Sequence, residues 1–404
     1  MNIISILSMT AVFLLQPNEW TELRIDPVGA RPGSAVRYAS KAKAFFLWGY
    51  MNADPDLLQE QPLMQVPEYD MAAFVPEEGL WRSHLPAKVE GAWNKRLPLS
   101  YVPRTYSGIT TGSERTLMRS GTEEEEAVPR PDLNVSSDQV TYNPAANSLV
   151  YFTGGLTASY DIDRRRWSDL APVHAPPPVL GGSLAYDPFL DEVVLFGGGH
   201  VAERTPDGRI VGYTGTWIYR TRDNDWRELP PGNQPPPRMN SRMVCDTKNR
   251  LMVLFGGDGQ SHYLADTWIL DLKTHRWRES KVPGGPEPRA GHFTVYDPET
   301  GWVLIGGGYN VKDLTDMWAY DPAGDRWQRL RGEVPTGFYL SADIAPEKRF
   351  IVLVNSIRKP DDSTDCNILY PVRTTYAYRI GKESLAYSDA RVEAHKPMPK
   401  RQAG

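Results

Sequence analysis

Residues 289–330 read RAGHFTVYDPETGWVLIGGGYNVKDLTDMWAYDPAGDRWQRL and hold one complete copy of the unit that this chain repeats. Four short runs of β-branched and aromatic residues alternate with Gly, Pro, Asp or Asn, a pattern that predicts four strands joined by tight turns. Residues 238–279 repeat the pattern with LMVLFGG, DTWILD and HRWRE in the same order, and a third copy ends at Leu229. Four-stranded repeats of roughly 40–50 residues predict the blades of an all-β propeller.

The unit resembles the Kelch repeat, in which an apolar strand ends in a Gly-Gly pair that an aromatic residue and a Trp follow. The pairs stand at Gly154-Gly155, Gly197-Gly198, Gly256-Gly257 and Gly306-Gly307. The resemblance implies a Kelch-type propeller similar to the central domain of galactose oxidase. The copper radical site of that enzyme needs two Tyr, two His and a Cys crosslinked to Tyr, a set that this sequence does not show.

The number of blades follows from the Trp in the fourth strand of each unit. These are Trp20, Trp81, Trp167, Trp226, Trp277 and Trp327, so we expect six blades with the Trp side chains packed between them. The first of them has no earlier strands before it, and residues 337–380 supply three strands without a Trp after them. We therefore predict that an N-terminal strand completes the last blade and closes the ring. A six-bladed Kelch ring is similar to the bacterial sialic acid mutarotase.

The expected domain organisation is one propeller over residues 17–385, with a possible leader over residues 1–16 and a polar tail over residues 386–404. Residues 86–131 fit no blade and include four consecutive Glu at 123–126. A loop of this length is either functional or without fixed structure. A lid that folds over the ring is one interpretation of this insertion. Its Glu run predicts a solvated segment, with a calcium or polycation site as the alternative.

Composition limits the classes of partner and the location. A net charge of −5 without a dense Lys/Arg stripe argues against a nucleic-acid partner. Residues 1–15 have about the length of a signal-peptide core and are too short to span a bilayer, which predicts a periplasmic or secreted protein. No basic residue precedes that core, so a cytoplasmic location stays open. We expect a monomer without cofactor, and the pairing of Cys245 with Cys366 cannot be read from the sequence.

Strand order predicts where a ligand site lies. In a four-stranded meander, the connections from strand two to strand three lie on the same face as the connections between blades; we name this the loop face and the opposite one the turn face. Arg side chains there favour an anionic group, and His or Tyr can move protons. The candidate ligand-binding residues are Arg204, Arg238, Arg242, Arg289, Asn310, Lys312 and Arg358. The candidate acid–base residues are His200, His262, Tyr263, His292 and Tyr309.

Several of these candidates have a structural interpretation as well. Arg289 and His292 occupy the Arg-x-x-His positions of many Kelch repeats, where they can brace neighbouring blades, and Arg238 matches Arg289. Arg242 matches Phe293 in register and departs from the repeat. His200 and His262 fit no strand period, and a metal site between them lacks recognisable ligand spacing, so we expect no metal.

Two functions fit these observations. The first is an exported binding module that holds a carbohydrate or protein at the mouth of the channel. The alternative is an enzyme on an acidic sugar, similar to a mutarotase, an epimerase or a uronate lyase, which needs Arg and His or Tyr to converge on one ligand. An intracellular scaffold is a third hypothesis.

Overall fold

The computed structural model describes residues 15–23, 29–51, 71–77, 80–83, 139–206, 208, 210–337, 339–358, 369–381 and 398–399. Residues 1–14, the insertion over residues 86–131, Cys366 and most of the tail lie outside the described residues. All regular elements of the described part are β-strands, numbered β1 to β28 in chain order.

The strands form six four-stranded units within the described residues. Unit one has β2 (Gly29–Ala39), β3 (Ala44–Met51), β4 (Met71–Val75) and β5 (Leu80–Ser83); unit two has β6 (Val140–Asn143), β7 (Ser148–Thr153), β8 (Leu156–Asp161) and β9 (Arg166–Asp169); unit three has β11 (Ser183–Asp187), β12 (Glu192–Phe196), β15 (Thr216–Arg220) and β16 (Asp225–Glu228). Unit four has β17 (Arg242–Asp246), β18 (Leu251–Asp258), β19 (His262–Asp271) and β20 (Arg276–Glu279); unit five has β21 (Phe293–Asp297), β22 (Trp302–Gly306), β23 (Met317–Asp321) and β24 (Arg326–Leu330); unit six has β25 (Ser341–Ala345), β26 (Phe350–Arg358), β27 (Leu369–Arg379) and β1 (Trp20–Leu23).

Each unit is an antiparallel sheet, and the first strands of successive units touch. β2 contacts β6, β6 contacts β11, β11 contacts β17, β17 contacts β21, β21 contacts β25, and β25 contacts β2. The units are thus blades around a central channel, and the predicted all-β Kelch propeller is confirmed. Hydrophobic clusters lie between blades: one joins blades six and one through Phe350 and Phe45, and another joins blades three and four through Phe196 and Leu254.

The N-terminal strand closes the ring as the sequence predicted. β1 pairs antiparallel with β27, with Trp20 opposite Tyr378 and Leu23 opposite Thr375. Blades six and one also share a single backbone pair between Ala30 and Val372. Because the last blade takes its fourth strand from the start of the chain, hydrogen bonds between the two ends hold the ring shut.

The fourth-strand Trp packs between blades. Trp226 is 2% exposed, and its ring lies 5.4 Å from Phe152 of the preceding blade in an edge-to-face arrangement. Its indole N–H donates to Thr157 Oγ1 of that blade at 2.8 Å. The same contact recurs between Trp277 and Phe196, Trp327 and Phe255, and Trp20 and Phe293. The side chains of Trp81 and Trp167 lie outside the described part.

The Gly-Gly pair joins one blade to the next. Gly256 and Gly257 have φ values of 58° and 113°, and a Cβ on Gly256 would lie 2.7 Å from the carbonyl oxygen of Arg289. The Gly257 N–H donates to that same carbonyl at 2.8 Å. Only glycine combines a positive φ with so close an approach. The sequence therefore needs the pair because the first residue of the next blade crosses directly over it.

Two loop-face connections differ from the expected loops. Blade three carries an additional three-stranded sheet of β10 (Val179–Leu180), β13 (Gly199–Arg204) and β14 (Ile210–Gly212), so His200 lies in a strand opposite Val179. In blade four, β18 and β19 extend beyond the sheet as a hairpin, and His262 begins β19 instead of lying at a loop tip. Hydrogen-bonded pairing of the lengthened hairpins explains both differences.

Candidate functional site

The candidate arginines Arg238 and Arg289 lie inside the blades. Both are 0% exposed. The Arg289 guanidinium donates from Nη1 and Nη2 to both oxygens of Asp316 at 2.7 and 2.9 Å, and to the Gly307 carbonyl at 3.1 Å. Arg238 makes the equivalent fork with Asp266 at 2.7 Å and bonds the Gly256 carbonyl at 3.0 Å. This geometry favours the bracing role and takes up the donors that a ligand would need.

The carboxylates of these pairs are held ionised. Burial by itself raises the pKa of Asp316, but the charge and hydrogen bonds of Arg289 and the Trp318 indole N–H bring it below its ordinary value. Asp266 has a lowered pKa from the same balance with Arg238 and Trp268. The buried charge of each guanidinium is therefore neutralised within its own blade.

Arg242 lies at the loop-face end of the channel and links three blades. Arg242 pairs with Phe255 in blade four, and Phe293 makes the equivalent pair with Gly306 in blade five. An arginine therefore lies where blade five has an apolar residue, which confirms that Arg242 departs from the repeat. Its side chain is 2% exposed in all, and its guanidinium donates to the His292 carbonyl at 2.6 Å and the Leu340 carbonyl at 3.3 Å.

Arg37 of blade one, the other neighbour of blade six, contacts the same part of blade six. It donates to the Val140 carbonyl at 2.8 Å and to Ser341 Oγ at 3.3 Å. Ser341 directly follows the Leu340 that Arg242 contacts, so two guanidinium groups converge there. Sequence reasoning missed Arg37, although a charged residue among the apolar residues of an inner strand was a readable signal.

His292, whose backbone carbonyl accepts from Arg242, is buried in the core. It is 0% exposed, its ring lies 5.4 Å from Phe255, and neither ring nitrogen has a hydrogen-bond partner among the described residues. Burial, and then the charges of Arg242 and Arg289, hold the pKa of His292 well below its ordinary value. The imidazole is thus a neutral core group at neutral pH.

The buried neutral state of His292 predicts acid sensitivity. His292 takes up a proton less readily in the folded protein than in the unfolded chain, where its pKa is about 6.5. The free energy of unfolding therefore falls as the pH drops below about 6.5. Replacing His292 with Leu, the residue at the corresponding position 340 of blade six, should flatten the dependence by up to about 1.4 kcal/mol per pH unit. Urea unfolding between pH 7.5 and 5 measures this. Parallel curves for the two proteins would contradict the assignment.

Three tyrosines form a row on the loop face across blades four, five and six; we name it the tyrosine row. The rings of Tyr263 and Tyr309 lie 5.9 Å apart at 84°, and those of Tyr309 and Tyr339 lie 5.7 Å apart at 85°. Tyr309, in the middle, is 4% exposed, while the outer two are half-buried. Edge-to-face packing fixes the row, and its two outer tyrosines stay partly exposed.

A polar group adjoins the row at Tyr309. Asn310 is 3% exposed, and its Nδ2 donates to the Pro288 carbonyl at 3.0 Å and to Glu287 at 3.2 Å. Lys312 Nζ lies 3.3 Å from the other Glu287 oxygen, with most of its side chain exposed. Sequence reasoning did not single out Glu287, which holds both predicted residues together.

The two other histidine candidates lie on separate hairpins. The His200 ring is 5.2 Å from Tyr213, and its Nδ1 is 3.7 Å from Glu203. His262 Nδ1 lies 3.1 Å from Ser261 Oγ. Gln260 links the hairpins because it accepts from the Gly212 N–H at 3.0 Å and donates to the Ile210 carbonyl at 3.2 Å.

The remaining candidates extend the picture only at backbone level. Arg204 ends β13 and Arg358 ends β26, but their side chains lie outside the described part.

Among residues that the structure describes, no group of three His, Cys, Asp or Glu is arranged to hold a metal ion. In the same part of the chain, no helix has the length and apolar character needed to cross a bilayer.

The fold and the loop face define a Kelch-repeat propeller. A family model described as the KLHDC2/KLHL20/DRC7 Kelch-repeats domain matches residues 144–352, more than half of the chain. The chain therefore belongs to the Kelch-repeat family, as the repeat indicated. Kelch domains are propellers that mediate protein interactions.

Curated relatives are similar to part of this chain, and the similar part is about a quarter or less of each relative's own length. The chain is 31% identical over 163 residues to the dynein alpha chain of the flagellar outer arm of Chlamydomonas reinhardtii, covering 39% of this chain and 3% of that one. It is 32% identical over 161 residues to the serine/threonine-protein phosphatase BSL2 of Arabidopsis thaliana, 35% of this chain and 16% of that one. It is 33% identical over 133 residues to the F-box/kelch-repeat protein At1g51550 of the same plant, 28% of this chain and 27% of that one.

Proposed function

We propose that this chain is a binding module that holds a protein ligand on its loop face, with the tyrosine row at the centre of the contact. The observation that carries the proposal is the row itself, because three interlocked aromatic rings span three blades there. Tyrosine is enriched at protein interfaces, where a rigid apolar ring and a polar hydroxyl bind with little loss of conformational entropy.

The donors of the candidate arginines favour binding over catalysis. Arg238 and Arg289 are fully buried in pairs with Asp266 and Asp316, and Arg242 donates to the backbone carbonyls of Ser241, His292 and Leu340. The acidic-sugar enzyme needs such groups directed at a ligand, so no observation favours it. The relatives support the same proposal, since a dynein chain, a phosphatase and an F-box/kelch-repeat protein are each similar to part of this chain although their names state different activities.

The ligand class and the location remain parts of the proposal. A glycan is the other ligand that we predicted for this face, and the exported location predicted from residues 1–15 is retained with it. Binding assays therefore need a peptide arm and a glycan arm. A glycan whose binding depends on the tyrosine row would replace the protein ligand in this proposal and leave the site unchanged.

Alanine at either outer tyrosine should weaken binding about 30-fold, since central interface aromatics contribute about 2 kcal/mol or more. We would select peptides by display on the immobilised full chain and measure their affinity by calorimetry for Tyr263→Ala and Tyr339→Ala. Tyr309 is buried, so Tyr309→Phe is the variant that tests it without emptying the core. Leu190→Ala is the control, because Leu190 is 51% exposed in the turn between β11 and β12. Ligands that lose affinity with the control but not with the tyrosine variants would overturn the proposal.

A further inference from the structure

The hairpin of blade four leaves part of β19 beyond the reach of its outer neighbour. β20 pairs only with residues Trp268 to Asp271, whereas β19 begins at His262. The outer side of residues 262–264 is therefore a short strand edge on the loop face, and Tyr263 of the tyrosine row lies in it. Strand edges with unpaired backbone groups are surfaces that accept an additional strand.

Two residues from a distant part of the same chain occupy that edge. β28 (Met398–Pro399) pairs antiparallel with β19, with Met398 opposite Tyr263 and Pro399 opposite His262. More than 130 residues of sequence separate the paired segments, so the pairing is a tertiary contact. Met398 and Pro399 therefore lie on the loop face, beside Tyr263 of the tyrosine row.

The backbone directions identify Met398 as the residue that makes this contact. The His262 carbonyl accepts from the Gly259 N–H at 2.9 Å, within the hairpin. Backbone groups of successive strand residues point to alternate sides, so the N–H and C=O of Tyr263 point outward, toward Met398. Pro399 has no N–H to donate, so Met398 supplies the only backbone donor of the two paired residues.

The composition of the segment suits an edge strand on this protein. It reads KPMPKR over residues 396–401, with prolines on both sides of Met398. Proline is tolerated at sheet edges and stops further strands from adding. Residues 391–404 carry four Lys or Arg and one Glu, while the whole chain has a net charge of −5. The sequence around β28 is thus basic in an otherwise acidic protein, which favours the attachment of β28 to the propeller.

We propose that the strand Met398–Pro399 is an intramolecular occupant of this edge and competes with the ligand of the tyrosine row. A tethered segment acts at an effective concentration in the millimolar range, so even a weak strand contact keeps the edge filled. A ligand that needs Tyr263 must first displace the segment, and its apparent affinity falls by the fraction of molecules whose edge is open. The competition rests on the proposed function, whereas the docking of the segment does not.

Met398→Pro in the full chain is the variant that tests this inference, because it removes the one backbone donor at the paired positions. Ala403→Pro is the matched control, since it adds a proline to the same tail away from them. Hydrogen exchange of residues 259–265, followed by mass spectrometry, should be faster in Met398→Pro and unchanged in Ala403→Pro. A labelled peptide of residues 391–404 should bind Met398→Pro and not the wild type, whose own segment fills the edge.

The outcomes separate docking from competition. Unchanged exchange in Met398→Pro, or failure of the labelled peptide to bind either protein, overturns the docking whatever the ligand is. With docking present, a display-selected peptide that depends on Tyr263 should bind Met398→Pro about tenfold more tightly, the gain expected when an occupant of about nine-tenths of the molecules is removed. Equal affinity for the two proteins overturns the competition, and it leaves the tyrosine row as a binding site.

Discussion

Replacing Arg289 with alanine is expected to destabilise the propeller by about 3–5 kcal/mol, the usual effect of removing one partner from a buried ion pair. The guanidinium is 0% exposed and forks to both oxygens of Asp316. Its loss leaves that buried carboxylate without its cationic partner, although the Trp318 indole N–H still donates to it, and it removes the guanidinium donor of the Gly307 carbonyl. It also removes the contact between the start of blade five, where Arg289 lies, and Asp316, which directly precedes β23.

A double-mutant cycle checks that the pair, and not the volume of the side chain, is responsible. The cycle compares Arg289→Ala, Asp316→Ala and the double variant. The two single losses of unfolding free energy, added together, should exceed the loss in the double variant by about 1–3 kcal/mol. Blade three supports this expectation, because Val179 and Gly215 occupy the corresponding backbone positions there and both members of the pair are absent. Additive effects in urea unfolding at pH 7 would show that the two side chains contribute independently.

The ion pair also has a defined pH dependence. The pKa of Asp316 is lowered in the folded state, so its contribution to stability is present above the ordinary carboxyl pKa and is lost as the pH falls through the lowered value. That window lies below the one in which His292 acts. Acid unfolding should consequently show a histidine phase and then a carboxylate phase, and Arg289→Ala should weaken the second.

Trp226→Ala should destabilise the fold by about 3–5 kcal/mol, since it empties a large site between blades two and three. Trp226 is 2% exposed, contacts Phe152 and Tyr219, and donates to Thr157. The same mechanism predicts that phenylalanine at this position restores most of the packing. It still leaves Thr157 without its indole donor, which costs about 1 kcal/mol.

Trp20 provides a matched control for that hydrogen bond. It packs on Phe293 and Tyr378 in the same way, but its buried indole N–H has no partner among the described residues. Blade five has Met317 at the position that Thr157 and Thr216 hold in blades two and three, and a thioether is a weak acceptor. Trp20→Phe should therefore lose less than Trp226→Phe in thermal or urea unfolding. A larger loss at Trp20 would show that closure of the ring outweighs the hydrogen bond.

Much of the fold could be predicted because the repeat compares the chain with itself. The Trp in each fourth strand and the apolar run before each Gly-Gly pair recur at positions that the structure places in equivalent strands. The glycine register in blade five was read one residue early, since the positive-φ pair there is Gly307-Gly308. Three consecutive glycines made that register ambiguous, and only the pairing of Phe293 with Gly306 resolves it.

The candidate site was harder to predict, because residue type does not show which partner a side chain finds. Arg238 and Arg289 have the same chemistry as a ligand-binding arginine, yet each meets an Asp that lies two residues before the Trp of the third strand in its own blade. The predictions for Tyr263 and Tyr309 placed both on the loop face, and the structure brings them together with Tyr339. Their roles as ligand contacts are the subject of the proposed experiments.

The sequence by itself determined the strands, the tight turns, the Kelch repeat and the closure of the ring by Trp20, because each depends on local periodicity or on a missing copy of the unit. Only the tertiary structure decided which polar groups are internal, which tyrosines form a row, and which strand β28 pairs with. Arg242 and the Leu340 carbonyl are 98 residues apart in the chain, and Tyr263 meets Met398 across a still longer separation. Such contacts depend on how whole blades pack around the channel, and no local pattern of residue types records that packing.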